Sequence, residues 1–244
     1  MMEALGYSLI AGLLTGAGAL PLIFIRNISH AWKDGLIGFA SGVMVAVSFL
    51  ALLTEALEIG GVFQIIIGLI FGFLVIALIE RLVPHLELGE LGDATIKVKR
   101  RMILIVSAIA LHNLPEGFAV GVSFGSEIPG LGFLIFAAIA LHNMPEGLIV
   151  AAPLKEMGLP GWKILLITAA TGLTMPIGTL IGFWMVTWTE AVLVYGLAFA
   201  AGAMLYVVSH ELLPESHSHG FKKQATTGFM LGVIIIIIIE NLLT

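Results

Sequence analysis

Apolar residues fill this chain in long runs, and the runs are separated by short polar breaks. The runs predict helices over 4–25, 35–54, 61–82, 102–124, 131–152, 162–187, 191–213 and 225–243. Each is near the roughly 20 apolar residues that a helix needs to cross a bilayer core. Gly, Pro and charged residues mark the breaks. The longest break, "PHLELGELGDATIKVKRR" at 84–101, is polar and mixed in charge and reads as a solvated cytoplasmic linker. The expected fold is an all-α polytopic membrane protein with eight transmembrane helices in a single domain, residues 1–244.

Composition agrees. Of 244 residues, 59% are hydrophobic and 11% charged, with a mean hydropathy of +1.09. A soluble domain carries about a quarter charged residues. The opening "MMEALGYSLI" lacks a basic leader, so the first run reads as a retained helix. The absence of cysteine excludes disulfides, iron–sulfur clusters and thiolate metal sites. The distribution of charge adds orientation. Arg26 and Lys33 flank the first connection; Arg81, Lys97, Lys99, Arg100 and Arg101 the third; Lys155 and Lys163 the fifth; Lys222 and Lys223 the seventh. Those are all eleven basic residues. The even connections carry Glu55, Glu58, Glu127 and Glu190 instead. The positive-inside bias therefore predicts cytoplasmic odd connections and both termini outside, in a multi-pass protein of the cell (inner or plasma) membrane. The lipid bilayer is its surrounding partner, and no nucleic-acid partner is expected.

Five acidic residues interrupt the apolar runs: Glu80, Glu116, Glu146, Glu211 and Glu240. A charge near mid-bilayer costs roughly 2.5–3.5 kcal/mol and is usually kept for function. Glu80 and Glu240 lie near span ends, within reach of interfacial water. The other three are central, and no Lys or Arg lies mid-span to pair with them. Histidines do. "LHNLPEG" at 111–117 and "LHNMPEG" at 141–147 differ at one position. Each places His and Glu four residues apart on one helix face: His112 with Glu116, and His142 with Glu146. Pro115 and Pro145 free the carbonyls of Leu111 and Leu141, which lipid tolerates only where they face protein or water. Asn113 and Asn143 add neutral oxygen ligands. His210 and Glu211 are adjacent and point about 100° apart, so the carboxylate is assigned the inward position. Imidazole with carboxylate suits Zn²⁺, Fe²⁺, Mn²⁺, Co²⁺, Ni²⁺ or Cd²⁺, and two His with three Glu suffice for two ions. Met44, Met144, Met175 and Met204 read as packing residues.

A second repeat is hidden in the flanks. "FASGVMVAVSFLALLTEA" (39–56) aligns without gaps to "FAAGAMLYVVSHELLPES" (199–216). The two segments run in opposite directions, as do the His-bearing spans. Matching segments of opposite orientation mark an inverted-repeat transporter with a midplane site. The expected arrangement is 3+2+3: repeat one over about 4–82, central helices over about 102–152, and repeat two over about 162–243. Ala51 stands where Glu211 does, so the third carboxylate has no counterpart.

With "HNLPEG", "HNMPEG" and "HELLPES" in place, the chain resembles the ZIP (Zrt-, Irt-like) family of metal transporters, in its prokaryotic GufA-like branch, over essentially its whole length. The resemblance implies divalent-metal uptake into the cytoplasm, zinc first, and a binuclear site. One ion would use His112, Glu116, His142, Glu146 and Glu211. The neighbouring ion would use Asn113 and Asn143 and share the glutamates. The metal is cargo, and no cofactor is expected. Many family members carry a His-rich loop after the third helix, where this chain has only His85; "HSH" at 217–219 is a candidate substitute. Glu55 is a candidate entrance residue, and Glu215, His217 and His219 are candidates for the exit. Gly68 and Gly72 offer a close-packing face for a homodimer. The main alternative is an intramembrane di-metal hydrolase or redox enzyme. The H-E-x-x-H and Glu-x-x-His spacings of such enzymes are missing.

Overall fold

The computed structural model describes residues 1–24, 29–82, 94–188 and 190–243. Arg26 and the first part of the expected linker, His85 included, lie outside the described residues. Among the described residues the chain is helical, with no strand. Rod α1 is Met2–Ala17, resuming as Leu20–Phe24 after a turn at Gly18. Rod α2 is His30–Ala46, a wider π-helical stretch Val47–Leu53, and Thr54–Ile59. Ser29 caps it, accepting from the Trp32 N–H. Rods α3, α4 and α5 are Val62–Leu82, Ala94–Gly125 and Leu131–Glu156. Rod α6 is Gly161–Thr171, a 3₁₀ turn Gly172–Thr174, and Met175–Trp188. Rod α7 is Glu190–Val207, a π-helical turn Val208–Leu212, and Leu213–Ser216. Rod α8 is Lys222–Leu243.

All rods but α4 are, by length and composition, apolar and long enough to cross a membrane among the described residues. Rod α4 differs from its expected start at 102: it is already helical at Ala94. Lys and Arg are good helix formers, so the backbone is already helical before the apolar run begins.

The rods pack in pairs: α2 along α8, α3 along α7, α4 along α6, and α1 along α5. Each pair is parallel. Gly38 and Gly42 of α2 meet the backbone at Ala225 and Phe229 of α8. Ala11, Thr15 and Leu22 of α1 meet Asn143, Gly147 and Lys155 of α5 in the same order. In contrast α1 crosses α6 antiparallel, with Gly12 on Gly172 and Gly16 on Ala169. These contacts are backbone on backbone, as packing in lipid favours. Gly68 and Gly72 belong to this set. They lie against Ala198 and Phe199 of α7, so the face expected to serve a second copy is used within the chain. The core, with Val43, Met44, Leu52, Phe118, Ile139, Leu197 and Met204, surrounds α4 and α5. Rods α3 and α8 leave large apolar side chains such as Ile67, Phe71 and Ile237 exposed, facing what would be lipid.

Candidate metal centre

The two HNxPEG segments face each other where α4 packs on α5. His112, Asn113, Glu116, His142, Asn143 and Glu146 are all buried. Pro115 and Pro145 lie inside continuous helices, so the turns carrying the His–Glu pairs are not broken. Ligand atoms of Glu116, His142 and Glu146 lie within 4.8 Å of one another. His142 Nε2 is 2.9 Å from Glu116 Oε1, and its Nδ1 is 3.2 Å from the Ala138 carbonyl. A carbonyl only accepts, so Nδ1 carries a hydrogen in that bond. Nε2 then meets the carboxylate oxygen either as an N–H donor or as a bare lone pair. In the second case the two lone pairs are held together by a shared cation, a proton or a metal ion. Fixing the ring through its far nitrogen is also how metal-ligating histidines are oriented.

Unpartnered atoms cluster here. His112 Nε2, Glu116 Oε2, both Glu146 oxygens, both Asn113 side-chain polar atoms and Asn143 Oδ1 are buried with no hydrogen-bond partner. Leaving such an atom unsatisfied costs about 1–3 kcal/mol, more when it is charged. Asn143 shows direction as well as need. Its Nδ2 donates to the Ala11 carbonyl at 3.0 Å and lies 3.4 Å from Met175 Sδ, which leaves the amide oxygen free. A cation held by imidazole nitrogen and oxygen ligands would satisfy the acceptor atoms of this set, while the Asn113 N–H group, a donor, needs an acceptor instead. Met175, a packing residue by sequence, therefore borders the site; Met44 and Met204 are buried in the core and Met144 is exposed.

The third carboxylate stands at the edge. Glu211 Oε2 is 3.5 Å from His112 Nδ1, with its side chain 40% exposed. The π-helical turn Val208–Leu212 carries it, and such turns re-aim side chains at functional sites. His210 turns to the other side, with Nε2 2.9 Å from Glu80 Oε1. The Tyr206 hydroxyl donates to Glu80 Oε2, and its ring stacks on His210 with centroids 5.3 Å apart. Glu80, expected simply to reach interfacial water, thus has two partners from α7. No local signal in the sequence joins them.

The candidate mouth residues lie outside the buried cluster. Glu55 is half-buried near the end of α2, where the charges of Glu58 and Glu240 bear on it. Glu215 is exposed near the end of α7. His217 Nδ1 is 3.0 Å from the Leu213 carbonyl. His219 Nδ1 is 2.8 Å from Oδ1 of the fully buried Asp34, whose Oδ2 accepts from the Phe221 N–H at 3.1 Å. His219 also stacks on His30. The structure thus gives His219 an anchoring contact between α2 and the start of α8, through an aspartate that the sequence reading did not single out.

Known proteins align with this chain along its length. A family model described as "ZIP Zinc transporter" matches residues 89–240. The chain is 35% identical to the zinc transporter GufA of Myxococcus xanthus, covering 96% of each protein. It is 38% identical to the zinc transporter ZupT of Corynebacterium glutamicum, covering 98% of each. It is 35% identical to the zinc transporter ZIPB of Bordetella bronchiseptica, covering 98% of this chain and 82% of that protein. With a matched region that takes in both HNxPEG segments and "HELLPES", the chain belongs to the ZIP zinc transporter family: it is a multi-pass membrane transporter of metal ions and not an enzyme.

Proposed function

We propose that this protein carries divalent transition-metal ions, zinc first, across the cell membrane into the cytoplasm, through a chamber formed by His112, Asn113, Glu116, His142, Asn143, Glu146 and Glu211. The observation that carries the reading is the buried trio Glu116, His142 and Glu146 with its unpartnered atoms. Zinc is favoured by the donor set and by the names of the relatives. Two ions fit the chemistry. One would take His112, His142 and the three carboxylates, and its neighbour the amide oxygens with shared Glu116 and Glu146. Fe²⁺, Mn²⁺, Cd²⁺ and Co²⁺ are the competing cargoes for such ligands.

The same reading takes the molecule as one transmembrane domain over 1–244, an inverted repeat of the 3+2+3 kind. The packing supports it. A shift of 160 positions takes residue 39 to 199. That shift relates α1, α2 and α3 to α6, α7 and α8, while α4 exchanges with α5. Under this exchange the α2–α8 contact becomes α7–α3, and α4–α6 becomes α5–α1, all of which are present. Gly117 meets Met175 while Gly147 meets Thr15, and Gly178 meets Leu114 while Gly18 meets Met144. The π-helical stretches of α2 and α7 also correspond. Glu55 then serves the entrance, with Glu215, His217 and His219 at the exit, acidic groups there raising the local concentration of cations.

The test is competitive uptake of Zn²⁺, Fe²⁺, Mn²⁺, Cd²⁺ and Co²⁺ into proteoliposomes, with internal pH recorded. Saturable Zn²⁺ uptake, inhibited most by ions that favour imidazole, is expected. Uptake that does not saturate would make the chamber a pore, and no uptake of any of the five would remove the proposal.

A further inference from the structure

The first two to three turns of α2 and α8 run side by side and flank an open cleft of about 580 Å³. Its size falls within the range of pockets that hold small organic ligands. Gly35 and Gly228 bring the backbones together at its floor. Trp32, Leu36 and Phe39 form one wall, at the i, i+4, i+7 spacing of a single helix face. Lys223, Thr227 and Leu231 form the other, at i, i+4, i+8. The cleft is therefore graded. Its helix-start end carries an ammonium, an indole and the Gln224 amide, Leu36 and Thr227 face its middle, and its deeper end is lined by Phe39 and Leu231.

That gradient matches a phospholipid, with its head at the helix starts and a chain pointing towards mid-bilayer. Trp and Lys at the ends of spanning helices sit at headgroup depth. Basic pockets between spanning helices on the cytoplasmic side recognise anionic headgroups. Lys222 precedes Lys223 in the sequence, in the first turn of α8. Nearby Asp34 is buried and accepts from Phe221, with His219 as its other partner, so its charge is held away from the cleft. A second apolar cleft, on α6, is lined by Leu180, Ile181, Trp184, Met185 and Trp188. It has no basic or amide group and lacks this head-to-tail grading.

We propose that the α2–α8 cleft binds one anionic phospholipid, its phosphate against Lys223 and Gln224 and an acyl chain along Leu36, Phe39 and Leu231. Assigning it to the cytoplasmic leaflet rests on the proposed orientation; the binding does not. Such a lipid would bridge the two helices that Asp34 also joins.

The test is native mass spectrometry of the full-length protein in mild detergent, without metal, after adding phosphatidylglycerol or phosphatidylcholine. One phosphatidylglycerol is expected to stay bound under conditions that remove phosphatidylcholine. Lys223→Gln should weaken retention about fivefold, as expected for one basic group at an anionic surface. Leu231→Trp should displace the chain and reduce retention with the protein still folded by circular dichroism. Lys163→Gln is the control, because Lys163 lies over Trp162, 5.4 Å from the ring centroid, outside the cleft. Equal retention of both lipids, equal loss in Lys163→Gln and Lys223→Gln, or a protein dimer in place of a lipid-bound monomer would overturn the proposal. No metal enters this measurement, so its failure leaves the transport reading standing.

Discussion

Asn143 is held by its nitrogen and free at its oxygen. The Ala11 carbonyl and Met175 Sδ take the amide hydrogens, so Oδ1 is left for the chamber. We expect Asn143→Ala to weaken zinc binding at least about tenfold, the lower end for losing a group that orients or supports a metal ligand. Met175→Leu removes the sulfur and roughly keeps the volume, so its effect should be smaller. Isothermal titration of the purified variants measures both. Unchanged affinity in Asn143→Ala would take that residue out of the site. At this scale the His–Glu pairs were legible in the sequence because i, i+4 spacing is local and occurs twice. The partners of Glu80 and Asp34 were not. Tyr206 lies 126 positions from Glu80, and His219 lies 185 positions from Asp34, so only the tertiary fold makes those pairs.

Helix pairing depends on glycine at the contact points. A methyl group at Gly147 would collide with the Thr15 carbonyl, whereas one at Gly6 would meet nothing within 4 Å. Gly147→Ala should therefore lower thermal stability by about 1–3 kcal/mol, the usual cost of overpacking. Gly6→Ala should leave stability unchanged or raise it slightly, because alanine is the better helix former. Melting curves in one detergent decide between them, and equal shifts would mean that α1 and α5 do not need this approach. The end of α2 offers a kinetic test. If Glu55 serves the entrance, Glu55→Gln should raise the apparent KM and reduce its salt dependence, since exposed charges are screened over about 8 Å at physiological ionic strength. An unchanged KM and salt response would assign Glu55 to the helix end alone. Helix boundaries were the least legible feature. Hydropathy stops marking α4 at 102, while the helix already exists at Ala94, because backbone hydrogen bonding does not require apolar side chains. The π-helical turns also carry no hydropathy signal, although the 39–56 and 199–216 repeat marks where both occur.

At the scale of the whole molecule, the proposed eight alternating spans would put both ends of the chain on one side. The parallel pairs α2–α8 and α3–α7 agree with that proposal. Because the chain has no cysteine, single substitutions report topology without a background. Glu3→Cys and Thr95→Cys should be labelled from opposite faces of intact cells, the first from outside. Labelling of both from one face would contradict the orientation drawn from the eleven basic residues. The match between 39–56 and 199–216 was legible because those two segments align without gaps. The use of Gly68 and Gly72 inside the chain was not, because a small-residue face looks the same whether its partner is another copy or another helix. The central claim is that the buried carboxylate–imidazole cluster is the path of the ion. It is tested most directly by the initial rate of zinc uptake into proteoliposomes holding Glu116→Gln/His142→Gln, with the reconstituted amount and melting temperature matched to the parent. We expect a loss of about a hundredfold or more, since both ligand types are removed while shape is largely kept; flux within about twofold of the parent, under the same matching, would place the ion's path elsewhere.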